Sequence, residues 1–358
     1  MIVASAVSNH RGRDVPCPDR SRHNGVQAAA SASCETKALY NGSRNCSWGV
    51  WLLTHTIVRD AEALVNNVAA VVVAKREVIE LSVASLLAGG HLLLNDLPGV
   101  GKTLLARSLA SSVHASFRRV QFTPDLLPSD VTGSSIFLPA EGRFEFRPGP
   151  LFANIVLADE VNRASTRTQA ALLEAMAEGQ VTVDGETYPL PEPFWVVATQ
   201  NEVDSYGTFP LPHAQLDRFM MSVSIGLPGL QDQVAILERN EHGDPVVEPM
   251  LTTAQVRQMQ ADVRSVEVSR PVREYIARIV SDRRHTQIAP GVSPRGGVHL
   301  QRAAQAVAAM RGDDYVAPEH VKAVAIPVLA HRIALLSGTP VSTADVIQDI
   351  LGRTPVPT

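Results

Sequence analysis

The densest chemical signal in the chain is Asp96-Leu97-Pro98-Gly99-Val100-Gly101-Lys102-Thr103, set between the apolar run Leu92 to Leu94 and Leu104-Leu105-Ala106-Arg107. A strand, a glycine loop and a helix in that order make a cradle for phosphate groups. Glycines let backbone N–H groups approach an anion without a Cβ in the way, and the helix N-terminus adds partial positive charge. On this reading Pro98, Gly99, Val100, Gly101, Lys102, Thr103 and Leu104 wrap a nucleotide's phosphates. Lys102 reaches the β- and γ-phosphates, and the Thr103 hydroxyl ligates magnesium. The strict pattern asks for glycine where Asp96 stands, although Gly99 and Gly101 keep the tight part of the loop. A glycine-rich turn that merely joins strand to helix is the alternative.

About fifty residues on, Ile155-Val156-Leu157-Ala158-Asp159-Glu160 is an apolar strand ending in two acids. Both acids then lie at the carboxyl edge of the sheet, where open α/β sheets bind ligands. Asp159 is suited to hold magnesium directly or through water, and Glu160 to polarise a water attacking the γ-phosphate. Acids also cap the helix that follows a strand, so the pair draws its weight from the loop that precedes it.

These groups need a scaffold to hold them. Short apolar runs at His91 to Asn95, Arg119 to Phe122, Asn154 to Ala158 and Trp195 to Thr199 read as buried parallel strands. Helical stretches such as Lys75 to Leu87, Thr103 to Val113 and Thr166 to Glu178 alternate with them, and a further helix starts near Thr54. Past Leu227-Pro228-Gly229 only helical patterns remain: Gln231 to Arg239, Thr253 to Val263, Pro271 to Arg283, Pro294 to Met310 and Pro318 to His331. The expected fold class is therefore α/β, a P-loop NTPase core with a parallel sheet over residues 54–228, followed by a small all-helical lid over 229–358. Residues 1–53, rich in Ser, Asn, Arg, Gly and Ala, read as a disordered extension or the product of a start codon placed too far upstream. Asp184-Gly185 marks a hairpin turn within Val181 to Tyr188.

Taken together, Phe122-Thr123-Pro124-Asp125-Leu126-Leu127-Pro128-Ser129-Asp130, Gly149-Pro150-Leu151-Phe152, Ala158 to Arg163 and Thr168 to Met176 resemble the MoxR family of AAA+ ATPases. So do Ala198-Thr199-Gln200-Asn201 and Leu211 to Phe219, and the likeness spans about residues 57 to 335. The resemblance implies ATP and Mg2+ as ligands and a homo-oligomeric, hexameric ring. It gives Asn201 the sensor-one role, orienting the attacking water, where an amide capping a turn is the competing reading. Arg218 takes the place of an arginine finger that reaches the neighbouring subunit's nucleotide, against the commoner surface ion pair with Asp217. Arg295, opening a helix after Ser293-Pro294, takes the sensor-two place, or is simply solvated. Arg163 faces a nucleotide or a subunit interface. Ser134 to Phe152 resembles the branch's inserted hairpin, turning at Glu141-Gly142-Arg143. Departures from the family pattern are His213, Ala74, near the adenine, and Asp96.

The bulk properties narrow the partners. The 358 residues are 45% hydrophobic with a formal net charge of -4, so no global positive field favours nucleic acid. Cys17, Cys34 and Cys46 form no metal or redox pattern and read as free thiols. The best apolar run, Leu81 to Leu94, is interrupted by Gly89, Gly90 and His91 and falls short of a membrane span of roughly 20 residues. With no secretory signal, a cytoplasmic location is expected. The resemblance implies remodelling of a client protein, and a partner with a von Willebrand factor A-type domain. A nucleotide-gated scaffold with little hydrolysis, or a chelatase-like or nucleic-acid motor, are the alternatives.

Overall fold

The computed structural model describes residues 48–73, 75–201, 209–242, 247–282, 291–335 and 341–357. Ala74, the three cysteines, Arg283 and most of the expected N-terminal extension lie outside them.

A long helix α1 (Trp48–Ala69) and α2 (Arg76–Leu87) lead into β1 (Leu92–Asn95) and α3 (Lys102–Ser112). Helix α1 begins inside the stretch expected to be disordered, which corrects that boundary: residues 48–53 are helical. Next come β2 (Phe117–Gln121), the single turn α4 (Pro128–Thr132), and the hairpin β3 (Gly133–Leu138) and β4 (Arg143–Pro148). Strand β5 (Ile155–Asp159), α5 (Thr166–Glu178), a second hairpin β6 (Gln180–Val183) and β7 (Glu186–Pro189), and β8 (Trp195–Gln200) follow. Helix α6 (His213–Leu216) and β9 (Met221–Val223) end the α/β part.

Five strands pair in parallel in the order β2-β5-β8-β1-β9, with Asn95 opposite Gln200 and Gln121 opposite Asp159. The strands' carboxyl ends are thus brought level along one edge of the sheet. The central strands are apolar on both faces because each face is covered. Leu92, Leu94, Ile155, Leu157 and Val197 pack beneath α1 to α3, while Leu93, Val156, Ala158, Val196 and Ala198 pack against α5. At the opposite edge the buried His91 ring accepts from the Val196 N–H at 3.0 Å and donates to the Met176 carbonyl at 3.0 Å. Trp195 Nε1 donates to the Gly90 carbonyl at 2.8 Å, so β1 and β8 start in register.

Beyond β9 lie α7 (Leu230–His242), α8 (Thr253–Ser265), α9 (Arg270–Val280), α10 (Pro294–Arg311), α11 (Pro318–Leu329) and α12 (Thr343–Arg353). Helices α8 to α12 share one apolar core with α1 to α3, through residues such as Leu300, Ala304, Val324 and Val328, whereas Leu230, Val234, Ile236 and Leu237 of α7 are exposed. Helix α10 packs on α1 and α2, and α11 reaches β9. Rather than hanging from the sheet, the lid is seated on one face of it.

Candidate functional site

The carboxyl ends of the five-stranded parallel sheet build the site. From β1 the chain enters the glycine loop, where Gly101 has φ +95° and open space where a Cβ would stand. That left-handed backbone turns the chain into α3, whose N-cap, Gly101, supplies no side-chain hydrogen bond. The first N–H groups of α3 are therefore not capped by that residue, as an anion site requires. Lys102, first in α3, is buried; its Nζ donates to the Asp96 carbonyl at 2.9 Å and to Asn201 Oδ1 at 3.0 Å. Burial lowers the Lys102 pKa, opposed by the negative charges of Asp159, Asp96 and Glu160.

From β5 come the two acids. Asp159 accepts from the Thr199 hydroxyl at 2.6 Å and from Arg119 Nη2 at 2.7 Å. Glu160 sits at φ 55°, ψ 49°, a left-handed conformation uncommon for a residue with a side chain. Its N–H donates to Thr199 Oγ1 at 2.8 Å, which fixes the turn. Its carboxylate accepts from Asn201 Nδ2 at 2.9 Å, Gln121 Nε2 at 2.8 Å and Arg163 Nη1 at 2.9 Å. The Asn201 amide, just beyond β8, thus bridges the Lys102 ammonium and the Glu160 carboxylate. Arg163 meets Glu160 in the same subunit.

Asp96 does not obstruct the loop. Its carboxylate accepts from Ser224 Oγ at 2.7 Å, the Ile225 N–H at 2.7 Å and the Gly226 N–H at 3.0 Å, tying the loop's first residue to the chain after β9. Beside it opens a cleft of about 470 Å³ with apolar walls from Val78, Leu81, Ile326, Pro327 and Ala330, and Lys75 at its rim. Asn95, Ser224 and Thr343 add polar groups to the lining, and a cleft with apolar walls and a few polar groups next to a phosphate loop suits a purine base.

Among the described residues no cluster of three or more His, Cys, Asp or Glu side chains could hold a metal by itself. A magnesium ion would rest on the hard oxygens of Thr103 and Asp159, with phosphate oxygens and water completing it. That donor set fits the ion. A cation drawn to Asp159 would compete there with Arg119.

Two of the expected residues stand apart from the cluster. Arg218 Nη1 donates to the Leu173 carbonyl of α5 at 2.7 Å. Asp217 pairs instead with Arg332 Nε at 2.9 Å, while Arg295 Nη1 lies 3.7 Å from its other oxygen. Thr199, Gln121, Arg119 and Arg332 are contributors that the motifs do not single out by role. Arg332 carried a signal, a lone guanidinium in the apolar stretch Ala325 to Leu335; Gln121 and Arg119 are visible only once β2 is paired with β5.

A parallel sheet of this order, a glycine loop after β1, an Asp-Glu pair after β5 and a helical lid define a P-loop ATPase fold of the AAA+ class. Residues 91–221 match the family model described as "ATPase family associated with various cellular activities (AAA)", and residues 280–350 match the AAA lid domain. The chain is 49% identical to the uncharacterized protein YeaC of Bacillus subtilis over 76% of this chain and 86% of that one. It is 36% identical to a protein named chaperone MoxR1 of Mycobacterium tuberculosis, over 78% of this chain and 76% of that one. A crystal structure of a candidate ATPase from Cytophaga hutchinsonii superposes with a TM-score of 0.78 at 34% identity, covering 92% of this chain and 99% of that one. The chain belongs to the MoxR family of AAA+ ATPases.

Proposed function

We propose that this protein is a magnesium-dependent ATPase that works as a ring, hexameric in the family reading, and remodels or matures a client protein. One observation carries the catalytic part: a single amide, Asn201, joins the phosphate-binding ammonium of Lys102 to the carboxylate of Glu160.

In this reading the α3 N-terminus and Lys102 hold the β- and γ-phosphates, and the cleft beside Val78 and Pro327 takes the base. Thr103 and Asp159 would hold a magnesium ion, which when bound would supply charge neutralisation to the phosphate oxygens. Glu160 takes the proton of a water that Asn201 orients. Gln121 and Arg163 share Oε2 and Asn201 alone donates to Oε1, so Oε1 keeps a lone pair for that water. Arg218, held at Leu173 in its own subunit, serves the site of the neighbour, where a guanidinium stabilises charge on the transferred phosphoryl. Arg295, at the start of α10, reports the γ-phosphate to the lid, and lid rotation moves the client. The exposed Phe137 and Phe144 of the β3–β4 hairpin support a client-facing role for that insertion. The name of the mycobacterial relative supports a chaperone role, and the family reading adds a von Willebrand factor A-type partner and a cytoplasmic location. Among the described residues no helix is long and apolar enough to cross a membrane.

The test is Glu160→Gln. Calorimetry should find ATP affinity retained while phosphate release falls by about 10² to 10⁴-fold. Turnover at the wild-type rate in that variant removes Glu160 as the base.

A further inference from the structure

A second polar cluster, centred on Arg332, ties the lid to the segment bearing Arg218 and borders the cleft through His331. The Arg332 side chain is 1% exposed, immediately after α11. Nε donates to Asp217 Oδ1 at 2.9 Å and Nη2 to the Asp217 carbonyl at 3.1 Å. The same guanidinium donates to the carbonyls of Phe219, Met220 and Val328. It also meets His299 Nδ1 at 2.6 Å and His331 Nε2 at 2.8 Å. Burial pulls His299 down to about 3 and His331 well below its ordinary value, and His331 Nε2 also lies 3.2 Å from the Phe219 carbonyl. The start of α10 joins the same cluster: Ser293 Oγ lies 2.9 Å from each Asp217 oxygen. Gly296 leaves room for it, since a Cβ there would come within 3.0 Å of Arg332 Cδ and 2.4 Å of Val292 Cγ1.

Three segments are thereby pinned together: residues 217–220, the N-terminal turn of α10 and the end of α11. Burying an arginine costs several kcal/mol of desolvation, and a packed apolar group of similar size commonly does as well for stability. What the guanidinium supplies is fixed geometry. Arg218 stands between Asp217 and Phe219, both held by Arg332, while α10 carries Arg295 two residues after Ser293.

We infer that Asp217 and Arg332 are positioning residues that lock the backbone of Arg218 to the lid, so the lid of one subunit sets the guanidinium offered to the next. This rests on the reading of Arg218 as a group acting in trans. The nucleotide state sensed at Arg295 in one site then reaches the adjoining site through a chain of direct contacts, Arg295 to Asp217 to Arg218.

Mixed oligomers test it. A donor chain carrying Glu160→Gln binds ATP and hydrolyses almost none, and a recipient carrying Arg218→Ala has an intact nucleotide site but no guanidinium to lend. Mixing the two should restore ATPase activity to recipient sites lying beside donors. Asp217→Asn is then added to one chain at a time, with ATP affinity and thermal midpoint measured for each chain as the folding control. Placed on the donor it should lower the restored activity at least tenfold; placed on the recipient it should leave most of it. Equal loss in both placements, or no loss in either, overturns the inference. A mixture that restores nothing before Asp217 is touched instead refutes action in trans, and the inference falls with it. If the Asp217→Asn chains do not fold, Arg332→Lys takes their place. It keeps a positive charge near Asp217 without the fan of donors to Phe219 and Met220, and the same asymmetry is required of it.

Discussion

Three donors, the Ser224 hydroxyl and the N–H groups of Ile225 and Gly226, converge on the Asp96 carboxylate. The strict phosphate-loop pattern has glycine at this position, and a carboxylate aimed into the cradle would repel a triphosphate. Here the side chain turns the other way, so it does not occupy the loop and instead anchors it to the chain that leads into the lid. In Asp96→Ala these donors lose their acceptor, and the Ile225 N–H is buried. The variant should be destabilised by about 1 to 3 kcal/mol, read as a lower denaturant midpoint. A midpoint unchanged from wild type would mean that the anchor does not matter for stability. Glu160 illustrates a different residue-scale constraint. Its left-handed backbone is held by Thr199, which also fixes Asp159, so one hydroxyl orients both acids.

The elements differ in how clearly their own residues announce them. Strands β1, β5 and β8 are apolar on both faces and stand out as continuous runs. Helix α5 begins after the Ser165 N-cap and ends before Gly179 in a left-handed turn, so its bounds are written locally. Strand β9 is three residues long, too short for any period, and becomes a strand because Met221 to Val223 lie against Leu92 to Leu94. Helix α12 goes beyond the helical patterns read from the chain, although Ser342 and Asp345 form a capping box ahead of Val346, Ile347 and Ile350. At the amino end of the sheet, His91 joins β1 to β8 and to the end of α5. Its Nδ1 accepts from Val196, so protonation would break that bond, and burial lowers its pKa from 6.5 to about 4. Between those values the unfolded chain binds the proton and the folded one does not. Stability is therefore complete above pH 6.5 and is lost as pH falls toward 4, by about 3 kcal/mol for this ring. His299 and His331 act in the same direction. The slope of unfolding free energy against pH in that window should be shallower in His91→Gln by about 1.4 kcal/mol per unit, one proton's worth. Parallel profiles for the two proteins would contradict this assignment.

Across the whole molecule, the lid and one face of the sheet share a single apolar core, so lid movement must slide packed helices over α1 and α2 rather than swing on a free linker. The cleft proposed for the base lies at this junction, lined by Val78 and Leu81 of α2 and by Ile326 and Pro327 of α11. A site completed by a neighbour's Arg218 also has a signature in bulk kinetics. Phosphate release per chain should rise with protein concentration until the ring is assembled. In Arg218→Ala it should fall by about 10³-fold at full assembly, with ATP affinity retained. Activity per chain that stays constant on dilution well below the assembly range would show that each subunit completes its own site.

The chain's own residues determined the phosphate loop, the acid pair after β5, the alternation of strands and helices, and the family. Each depends on neighbours close in sequence: glycine spacing, apolar runs and their end signals. Only the tertiary structure decided which strands lie side by side, and hence that Gln121 and Asn201 meet at Glu160. It alone turned Asp96 away from the cradle and buried Arg332 between the lid and the segment bearing Arg218. Those outcomes rest on contacts between segments far apart in the chain, and no local period records which distant partner a carboxylate or a guanidinium will find.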